Sequence, residues 1–208
     1  MTLRFPAAFA VVALGACLCA PVTTPAAAQD PEQWLSPPRD TPRPGHGETT
    51  YSLDTLFSAL KIAPDDASAK AIEDRIWATW IASGSDTCTL LMTRVKDATD
   101  DKNYDLAIKL LDAVIALKPD YVEAWNRRAT VYYLKQDYGR SLADLRVVLA
   151  KEPRHFGALS GLGLILQDIG DDKHALEAYR KALAIDPHLE NLPEVVKTLG
   201  EKVEGRNI

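Results

Sequence analysis

Residues 122–155 read VEAWNRRATVYYLKQDYGRSLADLRVVLAKEPRH, and the neighbouring blocks 88–121 and 156–189 repeat the pattern without a gap. Eight columns agree in residue type across the three blocks, and the last column is Pro119, Pro153 and Pro187. An uninterrupted period of 34 residues with helix–turn–helix content is typical of a helical solenoid. The sequence therefore predicts an all-α fold, an α–α superhelix of three repeats with helical caps.

Each block divides in the same way. In the second block, the pattern predicts helix A over residues 123–135, a turn at 136–137 and helix B over 138–150, and Pro153 prevents helix B from continuing. Two columns hold small side chains, or nearly so, and should let helices A and B approach closely. These columns are Val95, Ala129 and Gly163, and Ala107, Ser141 and Ala175.

The segments around the repeats differ in composition. Residues 29–50 are rich in proline and poor in apolar residues, which is typical of an extended or disordered linker. Residues 51–87 predict two helices, with Ile72, Ile76 and Trp80 in one stripe. We expect this pair to cover the apolar end of the first repeat, because a solenoid terminus needs a cap; a diverged fourth repeat is the alternative. Residues 190–208 predict a C-terminal capping helix.

Residues 1–28 have the pattern of a secretory signal peptide. Arg4 precedes an apolar run of roughly 16 residues, too short to span a bilayer, and small residues end the segment before Gln29. Export to the periplasm is the resulting expectation. The alternative is a lipoprotein anchored to a membrane, because residues 14–17, LGAC, are similar to a lipobox in which Cys17 would be lipidated.

The composition and the spacing of the polar residues argue against an enzyme active site, a metal site and a nucleic-acid-binding surface. The net charge of −5 disfavours a nucleic-acid partner. The four histidines are far apart and lack the spacing of a helical metal site, and no combination of nucleophile, base and orienting group is apparent. Cys88 would be alone in the mature chain, where a small buried side chain is the simplest role. We therefore expect no enzyme activity, no cofactor, no metal and no small-molecule substrate.

At these columns the chain resembles the tetratricopeptide repeat family. The second block carries W-x2-R-A-x2-Y from Trp125 to Tyr132, and the third carries L-x2-L-G from Leu159 to Gly163. The resemblance implies antiparallel helix pairs with a concave groove, lined mainly by A helices, that binds segments of other proteins.

By the same resemblance, a set of inward positions forms the candidate protein-binding groove: Met92, Lys96, Thr99, Asn126, Arg127, Thr130, Tyr133, Ser160, Leu164 and Gln167. Some family members bind a C-terminal carboxylate with a clamp of Lys, Asn and Arg. Here the clamp positions read Met92, Lys96, Arg127, Gly157 and Gly161, so the clamp is not formed. An internal partner segment is therefore expected.

One column departs from the family pattern, in which it usually holds leucine. It reads Arg94, Arg128 and Leu162 here. A charge between paired helices needs a partner, and Asp144 on helix B is placed to supply it. We predict a structural Arg128–Asp144 ion pair.

The functional hypothesis is a non-enzymatic adaptor of the bacterial cell envelope that binds an envelope protein in its concave groove. One alternative is a lipid-anchored, pilotin-like outer-membrane assembly factor, in which case the membrane is a partner through Cys17. A regulatory subunit of a periplasmic enzyme is a second alternative, and a homodimer is also left open.

Overall fold

The computed structural model describes residues 52–205, and every regular element in this range is an α-helix. The first two helices are α1 (Leu53–Leu60) and α2 (Asp66–Ile81). Three helix pairs follow: α3 (Asp86–Asp100) with α4 (Tyr104–Leu117), α5 (Val122–Leu134) with α6 (Tyr138–Lys151), and α7 (Phe156–Asp168) with α8 (Asp172–Ile185). The last helix is α9 (Leu192–Glu204). The predicted all-α solenoid fold is confirmed, and within the described range no helix has the length and apolarity needed to cross a bilayer.

The turn inside each pair uses the same two positions. Lys102, Gln136 and Gly170 lie in the left-handed region, with φ of 57°, 60° and 84°. The next residue in each repeat is Asn103, Asp137 or Asp171, whose side chain accepts the N–H three residues later and caps helix B. The three helix pairs therefore share one turn geometry.

Between the paired helices, the sizes of two side chains compensate for one another. In each repeat, a residue of the first helix lies opposite a larger residue of the second. The pairs are Val95 and Leu111, Ala129 and Leu145, and Gly163 and Tyr179, and the larger member is buried in all three repeats. A Cβ atom added to Gly163 would lie 2.4 Å from the Tyr179 ring. The third repeat therefore accommodates a tyrosine only because the facing residue is glycine.

We predict that Gly163→Ala lowers the free energy of unfolding by about 1–3 kcal/mol, because overpacking outweighs the better helix propensity of alanine. Urea denaturation followed by circular dichroism measures the loss. The matched control is Gly163→Ala with Tyr179→Leu, which reproduces the Ala129–Leu145 pair of the second repeat and should recover most of the stability. A single variant as stable as the wild type would contradict the size-compensation argument.

The N-terminal pair α1–α2, hereafter the strap, does not cover the end of the first repeat, and this expectation was wrong. Helix α2 packs against α1 and α5, and the strap core includes Phe156 at the start of α7. Leu90, on the outer face of α3, stays 57% exposed. The physical reason is that the aromatic stripe of α2 finds larger apolar and aromatic partners on the starts of later A helices.

At the other end of the solenoid, α9 packs against α8. Leu192 and Leu199 are buried with Leu176 and Tyr179, and Arg180 donates to both carboxylate oxygens of Glu204 at 2.6 and 2.8 Å. Helix α9 thus covers the last repeat.

Candidate protein-binding site

The strap runs along the side of the solenoid where each repeat joins the next, and its direction is opposite to the repeat order. At the first junction, Tyr121 occupies the N-cap position of α5, and its hydroxyl donates to the Ile81 carbonyl at 2.7 Å. The Lys118 ammonium donates to the carbonyl of Ser83 nearby. These bonds fix the C-terminal end of α2 beside the junction of repeats one and two.

At the second junction, aromatic rings make the contact. The Trp80 indole stacks on the His155 imidazole, with centroids 4.0 Å apart and planes 6° apart. Trp77 meets His155 and Phe156 edge-on, at 5.5 Å in each case. Above them, Arg154 lies over the Phe57 ring and pairs with Asp54 at 2.6 Å. This aromatic cluster is the apolar centre of the strap contact.

Titratable groups make the third junction, just before α9. His188 Nδ1 lies 2.7 Å from an oxygen of Asp66, and this hydrogen bond holds the imidazole pKa above its ordinary value. The Glu73 and Asp186 carboxyls are both buried at this junction. Burial first, and the Asp186 charge second, raise the pKa of Glu73 to about 7. Burial raises the pKa of Asp186 as well. A cavity of about 640 Å³ opens beside this junction, lined by Glu73, His188 and Trp77 among others.

The strap contact leaves several polar atoms unpaired. Among the described residues, Trp80 Nε1, His155 Nε2 and Asp186 Oδ2 are buried without a hydrogen-bond partner. His155 Nδ1 accepts the Ala158 N–H at 3.1 Å, so Nε2 carries the ring proton, 3.7 Å from Glu123. Each unsatisfied group costs about 1–3 kcal/mol. Burial of the aromatic rings therefore stabilises the strap contact, and the unpaired polar atoms destabilise it.

One half of the predicted groove is buried in this conformation. Asn126, Thr130 and Ser160 are buried, so they do not offer a surface to a partner. Arg127 is committed as well, because its Nε donates to the fully buried Glu123 at 2.7 Å. Burial disfavours the charged form of Glu123, but Arg127 and His155 outweigh it and hold the carboxyl pKa below its ordinary value. We call these four groove positions the closed half.

The remaining predicted positions stay accessible. Lys96 and Gln167 are exposed, and Met92, Thr99, Tyr133 and Leu164 are half-buried. They belong to α3 and to the C-terminal halves of α5 and α7. The repeat register places them on one face, and we call them the open half. The surface combines a thioether, a leucine and a tyrosine with a lysine and an amide.

Tyr133 is the aromatic centre of the open half. Its hydroxyl donates to Asp168 at 3.0 Å, and the Tyr138 hydroxyl donates to the same oxygen at 3.3 Å. Partial burial first, and the Asp168 carboxylate second, raise the phenol pKa of Tyr133. The ring is therefore held in place before any partner arrives, which reduces the ordering cost of binding.

The predicted Arg128–Asp144 pair is present and lies away from the groove. Arg128 Nε and Nη2 donate to the two Asp144 oxygens, each at 2.8 Å. Nη1 donates to Asp112 of the preceding repeat at 2.6 Å, and the guanidinium lies 4.8 Å from the centre of the Trp125 ring. These bonds, chiefly with Asp144, hold the arginine pKa above its usual range.

The remaining sequence predictions concern residues outside the predicted groove positions. Cys17 and the signal segment lie outside the described residues. Within residues 52–205, no three His, Cys, Asp or Glu side chains come together as a metal site. Cys88 is buried in the core of the first repeat.

The sequence reasoning missed Glu73, Trp77 and His155, which dock the strap. A signal existed: Glu73 falls on the same helical face as Ile76, Trp77 and Trp80, and an acid on an apolar face needs an explanation. The pattern showed that α2 has a buried face. It did not show which surface buries it.

These features define an all-helical repeat protein, and the comparisons with known proteins identify the repeat. Models of the tetratricopeptide repeat match residues 93–150 and 156–189. A TPR repeat-containing protein of Rhizobium etli is 44% identical over 153 residues, which are 74% of this chain and 75% of that protein. This chain belongs to the tetratricopeptide repeat family.

More distant relatives match over a smaller share of their own length. The small glutamine-rich tetratricopeptide repeat-containing protein 2 of Saccharomyces cerevisiae is 29% identical over 151 residues, 72% of this chain and 38% of the yeast protein. The chain therefore matches well under half of that relative.

Two solved structures show the same fold. The Sgt2 TPR domain from Aspergillus fumigatus matches with a TM-score of 0.53 at 24% identity, covering 58% of this chain and 81% of that domain. The first TPR of Spaghetti (RPAP3), bound to the HSP90 peptide SRMEEVD, matches with a TM-score of 0.54 at 16% identity, covering 58% and 95%.

Proposed function

We propose that this chain is a non-enzymatic interaction module that binds a segment of another protein in the open half of its concave face. The observation that carries the proposal is the ring of Tyr133, which is half-buried and held in place by its hydrogen bond to Asp168 at 3.0 Å. Tyrosine is among the residues that contribute most to protein interfaces. The Spaghetti domain, a structural neighbour, binds a peptide of HSP90, and this supports a peptide segment as the type of ligand for this chain.

The chemistry of the open half indicates the kind of segment. An apolar or aromatic side chain of the partner would pack on Tyr133 and Leu164. Lys96, the cation of the open half, already pairs with Asp100 at 2.5 Å, and so it is not free to bind a carboxylate of the partner. An internal segment of mixed character, rather than a chain end with a free carboxylate, fits this surface.

The place of action that we propose is the bacterial cell envelope, with export directed by residues 1–28. The periplasmic protein would begin at Gln29, and an anchored lipoprotein would begin at Cys17. The first residue of the mature chain, read by mass spectrometry, distinguishes the two. In either case the partner would be an envelope protein.

We expect Tyr133→Ala to reduce partner recovery at least tenfold, which is about 1.4 kcal/mol or more of binding free energy. Complexes are purified from cells through the tagged full chain, and the partner is quantified by mass spectrometry. Glu177→Ala, on the exposed face of α8, is the matched control and should recover the partner like the wild type. Equal recovery from Tyr133→Ala, with an unchanged melting temperature, would refute the open half as the binding surface.

A further inference from the structure

An exposed carboxylate lies at the edge of the open half. Asp168 is the last residue of α7 and follows Gln167, one of the open-half positions. One of its oxygens accepts the hydroxyl of Tyr133 at 3.0 Å and the hydroxyl of Tyr138 at 3.3 Å. A carboxylate can accept about four hydrogen bonds, so the two hydroxyls hold the group in place and leave it able to accept more.

The two tyrosines that hold this carboxylate also provide apolar surface beside it. The ring centroids of Tyr133 and Tyr138 lie 5.9 Å apart, with the ring planes tilted by 35°. Both residues are half-buried, so part of each side chain reaches solvent. Ile169, the residue after Asp168, is 51% exposed. The carboxylate therefore lies among apolar groups at an accessible place.

The chain supplies no cation for this carboxylate within the part that the structure describes. Among residues 52–205, no lysine, arginine or histidine forms an ion pair with Asp168. The basic residues at the neighbouring turns have other acidic partners, and the pairs are Lys135–Asp105, Arg140–Asp137 and His174–Asp171. Lys96 of the open half pairs with Asp100. The charge that this edge offers to a partner is therefore negative.

We propose that the bound partner segment carries a basic side chain, lysine or arginine, whose stem packs on Tyr133 and Tyr138 and whose cationic group binds Asp168. The inference rests on the proposed function, because it names the chemistry that the open half selects. Long basic side chains suit this place, since their stems cover apolar surface while their charged ends stay in water. A hydrogen bond between two charged groups is also shorter and stronger than one between neutral groups.

The competing explanation is that Asp168 only positions the ring of Tyr133. Asp168→Asn separates the two roles, because the amide oxygen still accepts a hydroxyl while the negative charge is lost. With the tagged full chain in cells, we expect this variant to recover about three- to tenfold less partner, as loss of a partly exposed charged contact implies. Glu177→Gln, which removes a charge from the exposed face of α8, is the matched control and should recover the partner like the wild type.

A second measurement identifies the basic residue itself. The protein that photocrosslinking from position 133 identifies supplies the probes, which are overlapping synthetic peptides of its sequence. We expect the peptide that binds the full chain to contain a lysine or arginine. Replacing that residue by norleucine, which keeps most of the stem, should weaken binding to the wild type by the same factor and leave binding to Asp168→Asn unchanged.

The outcomes separate this inference from the proposed function. Equal recovery by Asp168→Asn and the wild type, or a bound peptide whose affinity does not depend on a basic residue, would overturn the basic side chain. Tyr133→Ala would still lose the partner in that case, and the open half would remain the binding surface. If Tyr133→Ala kept the partner as well, both proposals would be wrong.

Discussion

Replacing Trp80 by alanine is expected to lower the free energy of unfolding by about 3–5 kcal/mol, among the largest effects available in this chain. The indole is 7% exposed, stacks on His155 at 4.0 Å and contacts the rings of Trp77 and Phe156. Truncation removes this ring packing and leaves a cavity between the strap and the start of α7. Urea denaturation followed by circular dichroism gives the total loss.

The controls separate loss of the ring from loss of the helix. Thr79→Ala, at the exposed neighbouring position of α2, should change stability by less than about 0.5 kcal/mol. Trp80→Phe keeps a ring against His155 and should lie between the two. If Trp80→Ala and Thr79→Ala gave equal losses, the strap would not be seated through its aromatic cluster.

The second large effect is expected from Asp144→Ala, at about 2–4 kcal/mol. The substitution removes a buried carboxylate that accepts two hydrogen bonds from Arg128 and leaves the half-buried guanidinium with one partner. Asp112 is the matched control, because it also binds Arg128 but its side chain is 53% exposed. Asp112→Ala should cost less than about 1 kcal/mol, as surface pairs do.

The third repeat supplies a compensating variant. Leu162 and Ala178 stand where the second repeat has Arg128 and Asp144. The double variant Arg128→Leu with Asp144→Ala therefore replaces the ion pair by an arrangement that the chain already uses, and we expect it to recover most of the stability. Thermal unfolding of the single and double variants measures the coupling, and purely additive losses would contradict a direct pair.

The repeat architecture could be predicted from the sequence because the same pattern of apolar, small and proline positions occurs in all three blocks. The position of Val131 and Ile165, buried against the preceding helix pair, holds Asp97 in the first repeat. That charge is a signal in the sequence that none of the described helices packs on the outer face of α3. The general need of a solenoid for a terminal cap predicts the opposite.

The destination of the strap could not be predicted, because an apolar stripe specifies burial and not a partner. Trp80 selects His155 through ring stacking across 75 positions of chain, and no local pattern encodes such a contact. For the same reason, Asn126 and Ser160 were assigned to an accessible groove and are buried. Tyr133, near the C-terminal end of α5, is half-buried and stays accessible.

The most direct test of the central claim, that partners bind the open half of the concave face, is photocrosslinking in cells. A photoreactive phenylalanine analogue replaces Tyr133, and a second variant carries it at His174, on the exposed face of α8. Our account predicts one discrete protein adduct from position 133 and none from position 174, with the partner identified by mass spectrometry. The same adducts from both positions, or none from position 133, would contradict it.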